Sequence, residues 1–244
     1  MRSKGRTSPA KPSSTVLLGA EDLGPGGEHR SDDAGDDALG RSLRIMPRQA
    51  RGRAKVERML EAAEWLAATE GVEAITTSRV AERAGVSIGS VYRYLPNREA
   101  LIEALAARFL RVLEAQMDEL ADLAGRADLE DPVGLAMGVF ADFYRRHPGF
   151  RALWLERPLT EPLRELDRRH KRVMAAGIRR ALVATGIWSP EEATDAAALA
   201  IQLAADAAIQ EAFRCDPDGD SALLDAAASL LRRALGLPPK RSSP

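Results

Sequence analysis

The sequence predicts an all-α protein, on three observations. Ala and Leu dominate, aromatic residues make up only 5% of the 244 positions, and the β-branched and aromatic runs that mark strands are sparse. Apolar residues recur at helical spacing over most of the chain. Gly and Pro interrupt that pattern at Gly71, Gly85, Pro96, Gly125, Pro132, Pro148, Pro158, Gly186, Pro190, Pro217 and Gly219. The breaks leave helices predicted over 53–70, 77–84, 88–94, 98–123, 132–146, 149–155, 161–185, 190–214 and 220–235.

Composition narrows the function. Apolar residues are 45% and charged residues 29%, with 35 Lys+Arg against 36 Asp+Glu. That is ordinary globular composition, and a net charge of −1 means that any nucleic acid must be held by a local patch rather than by bulk charge. Purely apolar stretches fall far short of the roughly 20 residues of a spanning helix. Val16-Leu17-Leu18 is too short for a secretory core, so the cytoplasm is the expected location. One cysteine, Cys215, permits no internal disulfide and no cysteine-based metal cluster, and no cofactor or metal is expected.

Residues 1–48 carry recurrent Pro, Gly and Ser, a cluster at Asp32, Asp33, Asp36 and Asp37, and no apolar period. They read as a disordered leader. Their eight basic and seven acidic residues argue against a DNA-binding arm, and Met46 is an alternative start. Residues 49–97 then form a first helical domain, 98–237 a second, and 238–244 a frayed tail.

The first helix of the small domain gathers Val56, Met59, Leu60, Ala63, Leu66 and Ala67 on one face. Gly71 ends it where a left-handed residue is wanted. Thr76 and Thr77 then cap a short helix, Gly85 turns the chain, Val86 packs inward, and Ser87 caps a third helix from Ile88 to Tyr94. Two short helices joined by a three- to four-residue turn containing Gly make a helix-turn-helix, whose second helix enters the DNA major groove. Over 76–98, Arg79, Arg83, Arg93 and Arg98 stand against Glu82 alone, a local basic surface on a neutral chain.

The run from Ile75 to Ser87 resembles the second helix and turn of the TetR family of bacterial transcriptional repressors. The run from Gly89 to Leu101 resembles that family's recognition helix and the start of its fourth helix. The resemblance covers about 50 residues; Ala67 stands where the family usually has an aromatic, and Arg98 where it usually has Lys. It implies a homodimer that binds a palindromic double-stranded DNA operator and is released by a small-molecule effector. Physics and resemblance together assign Thr77, Tyr92, Tyr94 and Arg98 to phosphates, which set register, with Arg98 also at a helix N-terminus. Ser78, Ile88, Gly89, Ser90 and Arg93 are assigned to base edges: Arg93 to guanine, Ile88 to a thymine methyl, Gly89 for close approach.

In the larger half, the helix predicted over 190–214 is small or aliphatic nearly all round, and 220–235 carries a broad leucine and alanine stripe. Such helices must be covered on both sides, either in the core of one subunit or between subunits; pairing with symmetry mates gives a four-helix dimer interface, as the family uses. Met137, Phe140, Phe143, Tyr144, Phe150, Trp154, Met174 and Trp188 gather most of the bulky residues of this half. As a set they read as ordinary core or as the lining of an apolar ligand site, for which Met137, Phe140, Tyr144, Trp154 and Met174 are singled out, with Tyr144, Gln202 and Asp206 as polar handles. An enzyme is not expected. No HExxH, phosphate loop or nucleophile elbow is present, and His170 in a run of charges reads as a solvated helix face. Cys215, with only Arg214 adjacent, reads as inert.

Overall fold

The computed structural model describes residues 50–126, 129–156 and 158–239. The expected leader over 1–48, the start at Met46 and the end of the tail lie outside the described residues. Among those residues there are nine α-helices and no strand. They are α1 (Ala50–Glu70), α2 (Thr77–Ala84), α3 (Ile88–Tyr94), α4 (Arg98–Ala124), α5 (Pro132–Arg146), α6 (Pro148–Leu155), α7 (Glu161–Ala184), α8 (Asp195–Cys215) and α9 (Ser221–Ala234), with a 3-10 turn at Val72–Ala74 after α1.

The predicted apolar face of α1 is buried throughout. Gly71 has the positive φ expected, 84°, but a ψ of 165°. It therefore turns the chain into the 3-10 turn rather than closing the helix in the left-handed form, a turn too short to show a period in the sequence. Thr76 caps α2 by accepting from the Arg79 N–H at 3.3 Å. Gly85 sits in the left-handed region at φ 63° and ψ 39°. Its N–H reaches Glu82 O at 3.2 Å, and the Val86 N–H reaches Ala81 O at 3.0 Å, the double closure of a Schellman motif. Ser87 caps α3 through the Ser90 N–H at 3.2 Å, and Asn97 caps α4 through the Ala100 N–H at 2.8 Å.

One continuous core runs from Val56 on α1 to Leu231 on α9, crossing the boundary expected at 97/98 because α4 serves both halves. Phe109 on α4 meets Phe143 on α5 and Phe150 on α6 with ring centroids 6.4 and 5.4 Å apart, at edge-to-face angles that aromatic quadrupoles favour. Two glycines allow the closest helix approaches. A Cβ at Gly149 would lie 2.7 Å from the Glu64 carbonyl oxygen, so α6 rests directly on the backbone of α1. A Cβ at Gly177 would lie 2.4 Å from Met117 Cγ, where α7 crosses α4.

The largest boundary error is at α8, predicted from residue 190 and observed from Asp195. Thr194 provides the cap there, accepting from the Ala197 N–H at 3.2 Å, while 190–192 form a turn. By length and composition alone α8 is also apolar enough to cross a membrane, with a mean hydropathy of 1.2 and 28% of that stretch buried. Counting uninterrupted apolar runs misses this, because Gln202 and Asp206 break the run without lowering the average much.

Candidate functional site

The α2–α3 pair presents most of the expected DNA contacts on one face. Ile88 is 43% and Tyr92 48% exposed, high for large apolar side chains. Ser78, Gly89 and Arg93 are exposed as well, and a Cβ at Gly89 would meet nothing within 4 Å. Thr77 Oγ1 donates to the Tyr92 hydroxyl at 3.2 Å across the two helices, so these two expected phosphate contacts stand side by side. The Ser90 hydroxyl is 2.9 Å from that of Ser87, which ties it to the cap.

Two assignments change. Tyr94 is buried in the core at 8% exposure, because it follows Val91 by three residues on the inner face of α3. Arg98 turns inward instead of toward a phosphate. Its Nε donates to Ile75 O at 2.9 Å and its Nη2 to Val72 O at 3.0 Å, and it pairs with Glu73 at 2.8 Å. It braces the loop between α1 and α2, satisfying carbonyls that helix ends leave over.

The basic surface is accordingly smaller than the charge tally. Arg79 is paired with Glu70 at 2.6 Å, and the Arg83 guanidinium lies 3.3 Å above the Trp65 ring, a cation–π stack. Arg93 remains outward, its guanidinium 5.6 Å from the Tyr94 ring centroid. Sequence reasoning passed over a second source of charge: Arg51, Arg53, Lys55 and Arg58 are all exposed on the first turns of α1. The signal was legible as four cations against Glu57, and Glu57 itself is held 2.7 Å from Arg108.

In the larger half, α4, α5, α7 and α8 enclose a cavity of about 1050 Å³ of non-atom space, open mouth included, with Leu231 and Leu235 closing one side. Met137, Phe140, Tyr144, Met174, Gln202 and Asp206 line it as expected. Trp154 does not: it stacks on Phe150 at 5.1 Å in the aromatic cluster of α6. His170 is a wall residue, 7% exposed, and not part of a solvated face, since its Nδ1 reaches 2.9 Å to Glu114 on α4. The charged neighbours in sequence hid an inward position that only the α4–α7 crossing defines. Burial first, then Asp206 and Asp167, pushes the Tyr144 hydroxyl well above the ordinary tyrosine range.

A junction joins the two halves. Glu64 on α1 is 2.9 Å from His147 Nδ1, between α5 and α6, and 2.9 Å from Arg108 Nη1 on α4. Burial raises the Glu64 carboxyl, but the His147 hydrogen bond and Arg108 outweigh it and hold it below the usual range. Two helices leave apolar residues uncovered: Leu203 on α8 is 46% and Leu230 on α9 56% exposed, among exposed Ala200, Ala204, Ala207, Ala226 and Ala234.

Residues 59–105 match the model of the bacterial regulatory proteins of the tetR family, and residues 127–238 match a tetracyclin repressor-like C-terminal domain. Together they cover more than half of the chain. The transcriptional repressor DrrR1 of Streptomyces coeruleorubidus is 36% identical over 107 residues, 44% of this chain and 38% of the repressor. The nucleoid occlusion factor SlmA of Vibrio campbellii is 30% identical over 94 residues, 38% of this chain and 47% of that protein. The chain thus spans less than half the length of these relatives. The crystal structure of a TetR-family transcriptional regulator from Streptomyces coelicolor aligns with a TM-score of 0.55 at 29% identity, over 76% of this chain and 98% of that one. With both domain models matched in order and the helices laid out as they require, the chain belongs to the TetR family of bacterial regulatory proteins.

Proposed function

We propose that the protein is a transcriptional regulator of the repressor type, not an enzyme, acting in the cytoplasm as a homodimer on a palindromic operator. The observation that carries this is the outward face of α3, where Ile88, Gly89, Tyr92 and Arg93 are open although a seven-residue helix gains most by burying such side chains. In this reading Ser78, Ile88, Gly89, Ser90 and Arg93 face bases, while Thr77 and Tyr92 fix register on phosphates together with the cations of early α1. Residues 49–97 read DNA, and 98–237 dimerise and respond to an effector.

The second copy is the partner that the uncovered faces of α8 and α9 require. Exposed small residues at three- and four-residue spacing allow close helix packing, and Leu203 and Leu230 supply the apolar anchors. A small molecule whose apolar body fills the cavity shifts the population toward dimers whose α3 helices no longer match successive major grooves about 34 Å apart. The test is light scattering of the purified chain beside a Leu203→Glu/Leu230→Glu double variant. The parent runs as a dimer, and the variant as a folded monomer with unchanged helical circular dichroism. A dimeric variant contradicts the interface, and a monomeric parent contradicts the reading.

A further inference from the structure

The cavity walls are apolar apart from Tyr144, His170, Thr185, Gln202 and Asp206; Gln202 and Asp206 stand one turn apart on α8, and the charge of Asp206 reaches the Tyr144 hydroxyl. Asp206 Oδ2 accepts from the Gln210 amide at 2.8 Å and lies 3.3 Å from Lys171 Nζ. The same ammonium is 2.8 Å from Asp167 Oδ2, and Glu114 holds His170. Among the described residues that line the cavity, Asp206 is the one carboxylate, and no Lys or Arg stands with it on the wall. Arg214, whose charge reaches the Tyr144 hydroxyl, is itself paired with Glu211. Gln202 and Tyr144 are buried, and among the described residues neither the Gln202 amide nor the Tyr144 hydroxyl finds a hydrogen-bond partner.

Resting on the reading of this cavity as the effector site, we infer that its ligand class is a cationic amphiphile: a protonated amine or amidine on an apolar body. The apolar body lies along Met117, Met137, Phe140 and Met174. The cation sits at Asp206, with Gln202 and Tyr144 in reach of its donors. An ammonium leaving water needs a counter-charge at its destination, and Asp206 is the counter-charge on the cavity wall. A carboxylate headgroup meets the opposite situation, since Lys171, the ammonium available to it, is already shared by Asp167 and Asp206. The apolar walls suit an alkyl body on such a ligand, for which a decyl chain serves as the probe.

Calorimetric titration of the full chain with decylammonium, decanoate and 1-decanol, all below micelle formation, tests this. Decylammonium binds at least about tenfold tighter than decanoate, one charge pair's worth. Asp206→Asn removes about that factor for decylammonium while leaving 1-decanol within about twofold, which also shows that the cavity has folded. Asp167→Asn leaves the Lys171 ammonium to Asp206 alone, gives the same direction, and decides the matter should Asp206→Asn fail to take up 1-decanol. Decanoate binding as tightly as decylammonium overturns the ligand class and leaves the effector site standing. Unchanged decylammonium binding in both variants overturns it too. Failure of all three probes, 1-decanol included, overturns the effector-site reading and the ligand class with it.

Discussion

The α2–α3 face draws its outward side chains from a single run, Thr77 to Arg93, whereas the cavity draws its walls from Leu113 to Leu235 across five helices. The two differ in how their charges are used. On the α2–α3 face, Arg79 and Arg98 are tied to glutamates and Arg83 to an indole, leaving Arg93 outward. Among the described residues of the cavity wall, by contrast, Asp206 is the one carboxylate and no Lys or Arg is present. Charge on the α2–α3 face is thus spent first on holding the helix pair in place, whereas Asp206 stands on an apolar wall with Lys171 3.3 Å away.

If the two regions share one core, Phe109→Ala gives the largest effect. It removes the ring that touches both α5 and α6 and costs about 3–5 kcal/mol, seen as one cooperative urea transition moved to lower denaturant. Two transitions with only one displaced would break the link. Arg98→Met comes next: losing charged hydrogen bonds to Val72 and Ile75 carbonyls costs about 1–3 kcal/mol of stability, with the salt slope of DNA binding unchanged. A flattened slope at an unchanged melting temperature would instead return Arg98 to a phosphate.

Arg93→Ala sharpens the contrast, since it leaves melting untouched and relaxes preference at one base position of each half-site by about 1–3 kcal/mol. The smallest effect belongs to Glu64→Gln at the junction. A carboxyl depressed in the folded state adds stability above its unfolded value and loses it as pH falls through the folded one. The variant therefore melts lower than the parent at neutral pH, and the gap closes below the ordinary value of 4.5. A gap that is constant with pH, followed by calorimetry from pH 3 to about 7, would show that Glu64 acts by packing alone.

The sequence was most legible where structure is local. Gly85, Ser87 and the spacing of Val80, Ala81 and Val91 report the turn and its two helices within a dozen residues, and six of the seven expected cavity residues do face the cavity. The failures share a physical cause. Trp154, Tyr94, Arg98 and His170 each have their role set by a partner elsewhere: Phe150, the inner face of α3, the carbonyls of Val72 and Ile75, and Glu114. A residue type states what a side chain can do, but the crossing of α4 with α7, permitted by Gly177, decides which way His170 faces.

Selection of the purified chain against random duplex DNA at near-physiological salt, followed by sequencing, tests the central claim most directly. The account predicts an enriched inverted repeat whose half-sites lie about one helical turn apart or a multiple of it, lost as salt rises, with Arg93→Ala loosening one position in each half. A retained pool without sequence preference, or a lone half-site bound by a dimer, would contradict it.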